Sequence, residues 1–219
     1  MKKRIITISR EFGSGGHGIG KSVADKLGIS FYDKELLEQI AKETEFSKDF
    51  IEETDENSSA KNSLLFNLVI NRSLNVRTEP LPADTIYFAQ NKIIKELADR
   101  ESCVIVGRCS DYILRDREDC LNVFIYSDIE KREKRVLERY GESEKPIRKR
   151  ILDKDSRRKI YYSHYTDRSW GIPQNNDVCL DSGRLGEKIC VDTIISIFND
   201  WESGDMENGK KKAIIAGQS

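Results

Sequence analysis

The chain is short of histidine, proline, tryptophan and methionine: among 219 residues it has two histidines, four prolines, two tryptophans and two methionines. So few imidazoles argue against a histidine-built zinc site. The five cysteines, Cys103, Cys109, Cys120, Cys179 and Cys190, contain no C-x-x-C pair. Most lie in or beside apolar segments, which suits reduced thiols in a cytoplasmic compartment better than a disulfide framework. An excess of one charge is missing too, because Lys plus Arg (37) nearly cancels Asp plus Glu (38). Net charge therefore offers no argument for nucleic acid or an anionic membrane as a partner. No apolar run approaches the ~20 residues of a membrane helix. The basic and then apolar opening gives out at Ser9, too early for a secretory signal. The length suits one α/β domain with a substantial core.

What the chain does have is glycine in one place: Gly13-Ser14-Gly15-Gly16-His17-Gly18-Ile19-Gly20-Lys21-Ser22. Residues Gly15 to Ser22 satisfy the phosphate-binding pattern G-x-x-x-x-G-K-[ST]. Glycines allow successive backbone N–H groups to converge on one concavity at a helix N-terminus, where an anion is favoured. On this reading Lys21 addresses the β- and γ-phosphates of ATP, and the Ser22 hydroxyl suits Mg2+. The flanks agree in type. Arg4 to Ser9 reads as a buried strand, and Ser22 to Leu27 as a helix with Val23, Ala24 and Leu27 on one face.

Further strands are expected at 29–32, 103–106, 121–126 and 177–181, alternating with helices at 34–41, 84–99, 129–140, 147–160 and 185–201. That alternation predicts a three-layer α/β/α fold on a five-stranded parallel sheet. Asp33 closes the second strand, as a helix cap or at the carboxyl edge where ligands bind in such sheets. In the helix at 129–140, capped by Asp128, Val136 and Leu137 are expected to face inward. The less regular stretch 44–83 reads as a short helix at 47–53, a loop at 55–59, an apolar helix at 64–75 and a proline turn at 80–82. We take 44–100 as a helical insertion, a candidate acceptor-binding or dimerising segment that would make a homo-oligomer. The basic stretch Arg148 to Lys159, running through about 142–170, reads either as a solvated helix or as a lid bringing arginines onto phosphates. One kinase domain would end near 202, and 203–219 is expected to be a loose polar tail.

Taken in order, Ser9-Arg10-Glu11-Phe12-Gly13-Ser14-Gly15-Gly16, Phe31-Tyr32-Asp33, Val104-Ile105-Val106-Gly107-Arg108, Asp153-Lys154-Asp155-Ser156-Arg157-Arg158 and Cys179-Leu180-Asp181-Ser182-Gly183 resemble the cytidylate kinase-like family of P-loop nucleoside monophosphate kinases. The resemblance spans nearly all of residues 1–200. It implies that Arg108 holds an acceptor phosphate, that Asp33 lies beside the acceptor sugar, and that Asp155 and Arg158 reach the acceptor and the transferring phosphates. Lys21, Arg108, Arg158 and Arg157 would share the charge of the transferring group. The resemblance departs from the family pattern at Val106, where the family carries an acid. The leading expectation is transfer of the γ-phosphoryl group of Mg-ATP to a CMP-like monophosphate, which needs positioning more than a base. A small-molecule hydroxyl kinase and a nucleotide-binding regulatory module are the alternatives.

Overall fold

The structure, a computed structural model, describes residues 4–33, 35–44, 46, 47, 51 and 82–200. The expected elements at 47–53, 55–59 and 64–75, most of the 44–83 stretch and the tail from 203 lie wholly or largely outside those residues. Five strands form one parallel sheet: β1 (Ile5–Arg10), β2 (Ser30–Tyr32), β3 (Cys103–Val106), β4 (Cys120–Tyr126) and β5 (Val178–Asp181), in the order β2-β3-β1-β4-β5. Each strand matches its expectation to within one residue at either end. β3 is a continuous apolar run and β1 is buried along its whole length, as suits central strands covered on both faces of the sheet.

Alternate residues supply the two faces. Ile5, Cys103, Ile105 and Cys120 pack against α2 (Glu35–Thr44), α3 (Pro82–Arg100) and α4 (Ser110–Ile113). Ile6, Ile8, Val104, Val106, Val123 and Ile125 pack against α1 (Gly16–Leu27) and the last helix. A third small cluster, Phe12 with Val136 and Ile151, joins the glycine-rich loop to a helical pair, α5 (Ile129–Tyr140) and α6 (Ile147–Thr166).

Four local expectations are corrected. Leu137 is 42% exposed while Val136 is buried, because one residue is a rotation of about 100° around a helix. The inward place beside Val136 goes to Arg132. Asp128 stands at the N-cap of α5 but makes no side-chain cap bond, and pairs with Lys131 instead. The final helix is two: α7 (Ser182–Leu185) and α8 (Glu187–Asp200), parted by Gly186 at φ 82°. The fourth correction concerns α1 and the site itself.

Candidate active site

Strand order reverses at β1, so the carboxyl ends of β1 and β3 open onto the crevice where such sheets bind ligands. The chain leaves β1 at Arg10 and crosses a five-residue loop, Glu11 to Gly15, before α1 begins at Gly16. Gly13 and Gly15 have φ of 83° and 82°, values that L-residues seldom adopt. Donors outside the loop hold three successive carbonyls: Arg132 on Phe12 (3.4 Å), Arg135 on Gly13 (2.8 Å) and the Ser182 hydroxyl on Ser14. The N–H of a trans peptide points opposite its carbonyl, so the N–H of Gly13 and Gly15 turn the other way, and that of Ser14 closes a turn onto Glu11. Beyond Gly15 the first helical N–H groups lack a partner one turn earlier. A loop of this shape fits a phosphate chain.

This geometry corrects the expected register. Gly16, His17, Gly18, Ile19, Gly20, Lys21 and Ser22 all lie within α1, so the G-x-x-x-x-G-K-[ST] stretch is mostly helix. Ile19 is core, and Gly20 lets the helix approach the sheet, since a Cβ there would stand 2.9 Å from Ile8 Cδ1. Packing of Ile19, Val23 and Ala24 on the sheet outweighs the ~1 kcal/mol that each helical glycine costs. Lys21 is exposed, pairs with Asp25 at 2.9 Å and lies over Phe31 at 5.7 Å. Ser22 is exposed further along the helix. Lys21 is thus taken up by Asp25 and Phe31, and Ser22 stands six residues past the first residue of the helix. The Ser22 hydroxyl therefore does not fit a magnesium ion at the phosphates, and no metal-binding group of three or more His, Cys, Asp or Glu occurs among the described residues.

The acceptor-side expectations gather better. Asp33 at the end of β2 is buried among three partners: His17 Nδ1 (2.7 Å), Arg108 Nη1 (3.1 Å) and Arg10 Nη2 (4.0 Å). Burial alone would raise its carboxyl, but the His17 hydrogen bond and the charges of Arg10 and Arg108 outweigh it and hold the group well below the usual carboxylate range. An ionised carboxylate only accepts, so Nδ1 of His17 is the donor. Asp33 thus spends its carboxylate on these groups. Arg108 is 1% exposed and follows Gly107 in a run of left-handed residues, Gly107, Arg108 and Cys109 at φ 72°, 57° and 55°. Its carbonyl accepts from the Gln90 side chain at 2.9 Å, which ties the turn to α3.

Helix α6 contributes the third part. Asp155 accepts the Phe12 N–H (2.7 Å) and Arg132 Nη1 (2.5 Å), and Arg158 Nη1 lies 3.7 Å away. Both its oxygens are committed, so Asp155 docks α6 on the loop instead of reaching an acceptor. Arg158 donates to the Arg10 carbonyl at 2.8 Å, which puts it at the mouth of the loop. Arg157 stands half-buried on the same helix. Burial first, and then Arg158, Arg150, Arg157 and Arg10, push the Lys154 ammonium down to about 8. Lys154 was legible only as part of a basic stretch, and Arg10 only as one residue of the Ser9–Gly16 stretch that carries the family resemblance. Arg135 gave no signal beyond its place in a charged helix.

A parallel sheet in this order, with a glycine-rich loop after β1 and a basic helix folded over it, defines the P-loop kinase fold. The chain belongs to the cytidylate kinase-like family, whose sequence model matches residues 5–184. A crystal structure of an uncharacterized protein from Eubacterium ventriosum is 30% identical, covers 90% of this chain and 99% of its own, and superposes with a TM-score of 0.67. Shikimate kinase from Acinetobacter baumannii, solved with shikimate, is 13% identical over 91% of this chain and 94% of its own, with a TM-score of 0.51. A sugar kinase from Janibacter sp. is 15% identical over 89% and 93%, also at 0.51. The last two share the fold. No curated protein sequence matches the chain.

Proposed function

We propose that the chain is an ATP-dependent phosphotransferase of the cytoplasm whose acceptor is a small molecule already carrying a phosphate, with a CMP-like nucleoside monophosphate as the leading candidate. The observation that carries this reading is the convergence of Arg10, Arg108 and Arg158 on the carboxyl ends of β1 and β3, beside a loop shaped for phosphates. The loop Glu11–Gly15 and the start of α1 would hold the donor phosphates. Arg108, braced by Asp33, would hold the acceptor phosphate. Arg158, brought in by α6 acting as a lid, would spread charge between the two. A phosphate acceptor is an anionic nucleophile already, so orientation and charge stabilisation supply most of the acceleration. Loss of one such contact costs about 3–4 kcal/mol of barrier.

A hydroxyl acceptor is the second reading. It is favoured by His17, half-exposed at the first turn of α1 and oriented by Asp33 as a general base is oriented. One panel tests both: nucleoside monophosphates and small polyols, each with Mg-ATP, followed by ADP release. Stimulation by a monophosphate that survives His17→Ala supports the first reading. Stimulation only by an alcohol, with a loss of about 100-fold or more in His17→Ala, supports the second. No stimulation by any acceptor above the acceptor-free rate sinks the phosphotransferase.

A further inference from the structure

Loops that cradle ATP set a lysine on the β- and γ-phosphates. Here the loop residues Glu11 to Gly15 include no lysine or arginine, and Lys21 stands on α1 with Asp25. Another ammonium lies against the loop itself. Lys154 Nζ lies 4.7 Å from the Phe12 ring centroid, and its neighbour Asp155 accepts the Phe12 N–H, so α6 carries Lys154 directly against the loop. Its surroundings are cationic: Arg150, Arg157 and Arg158 on its own helix and Arg10 from β1. From α5, Arg132 faces the loop, but Asp155 and Glu11 take its charge. The acid before Lys154 on the helix, Asp153, pairs with Lys145. Among the described residues the Lys154 ammonium makes no hydrogen bond or ion pair. An ammonium held among guanidiniums with no acid of its own is unfavourable until a multiply charged anion joins it.

Building on the phosphotransferase reading, we propose that Lys154 supplies from α6 the ammonium that contacts a polyphosphate chain held by Glu11–Gly15, the role that sequence pattern alone gives to Lys21. Donor binding and docking of α6 would then be one event. A protein whose α6 has lifted away would hold the phosphates with backbone N–H groups alone.

The test uses the full chain and two probes, inorganic tripolyphosphate and ATP, with affinities from calorimetry. K154M should weaken tripolyphosphate by about tenfold or more, as expected for one charge-assisted contact. K21M should stay within about twofold of wild type, because exposed pairs such as Lys21–Asp25 contribute little. K154M removes a charge from a cationic cluster, so its melting temperature should equal or exceed that of wild type and misfolding does not cloud the result. The pH dependence has a defined sign. The free ammonium titrates near 8. ATP affinity should therefore be flat below that pH and fall by up to about tenfold per unit above it in wild type, but stay flat in K154R. Equal tripolyphosphate affinity in K154M and wild type, a tenfold loss in K21M, or no tripolyphosphate binding by wild type would each overturn the proposal. Tripolyphosphate binding through Lys154 without phosphoryl transfer to any acceptor would sink the phosphotransferase and leave this site standing.

Discussion

Replacing Asp155 by alanine should undo the contact between the glycine-rich loop and α6. Asp155 is buried, and its two oxygens hold the Phe12 N–H at 2.7 Å and Arg132 at 2.5 Å, with Arg158 at 3.7 Å. Truncation leaves two buried guanidiniums without their shared carboxylate and one loop N–H without its acceptor. Breaking a buried pair from one side costs about 3–5 kcal/mol. For a chain of this size each kcal/mol lowers the melting temperature by about 2–4 °C, so a fall of about 6–20 °C is expected. Asp155→Asn keeps an acceptor for Phe12 and should lose less. Removing Arg132 as well, in the double variant Asp155→Ala with Arg132→Met, should recover part of the loss, since the uncompensated charge goes with it. Calorimetric unfolding of wild type, Asp155→Ala, Arg132→Met and the double variant measures this cycle, and hydrogen exchange at the Phe12 amide reports whether α6 lifts locally before the whole unfolds. Asp155→Ala within about 1 kcal/mol of wild type, with the Phe12 amide still protected, would refute the docking role and return Asp155 to the acceptor.

Three other outcomes follow from the geometry. Asp33 has a depressed carboxyl, so it contributes stability that is complete above its ordinary value of 3.8 and is lost as pH falls below that toward the folded value. Denaturant unfolding between pH 5 and 2 should show that slope in wild type and a shallower one in Asp33→Asn. Gly16→Ala should destabilise by about 1–3 kcal/mol and more than Gly20→Ala, because its new methyl meets Arg10 Cβ at 2.6 Å whereas that of Gly20 meets the movable tip of Ile8 at 2.9 Å. Equal melting temperatures for the two would contradict this account of how α1 seats. Ser182→Ala leaves the Ser14 carbonyl without the hydroxyl that holds it, at a cost of about 1–3 kcal/mol in thermal unfolding, and should weaken phosphate binding by loosening the loop.

The parts that could be read from the sequence are those that depend on residue type along a local stretch. Continuous apolar runs such as Cys103 to Val106 specify a strand covered on both faces, whatever the neighbours. The span of α5 was legible to its ends, as Ile129–Tyr140 after Asp128, although the side-chain cap read there does not form. The order of Asp33, Gly107-Arg108 and Asp155-x-x-Arg158 was enough to indicate the family. The inward face of α5 was not legible, since Val136 and Leu137 are equally apolar and only the partner helix chooses between them. Nor were the three partners of Asp33, which lie at positions 10, 17 and 108 and meet because β1 and β3 end where α1 begins.

The glycine-rich stretch shows the division most sharply. Its residue types alone determined that backbone N–H groups would converge near a helix start after β1. They could not determine where that helix starts, because Gly15-Gly16 and Gly18-x-Gly20 are equally able to form the turn. Tertiary packing decided it: seating Ile19 and Gly20 on the sheet commits Gly16 to Ser22 to α1, turns Lys21 toward Asp25, and leaves a loop against which α6 sets Lys154, more than a hundred residues away in sequence.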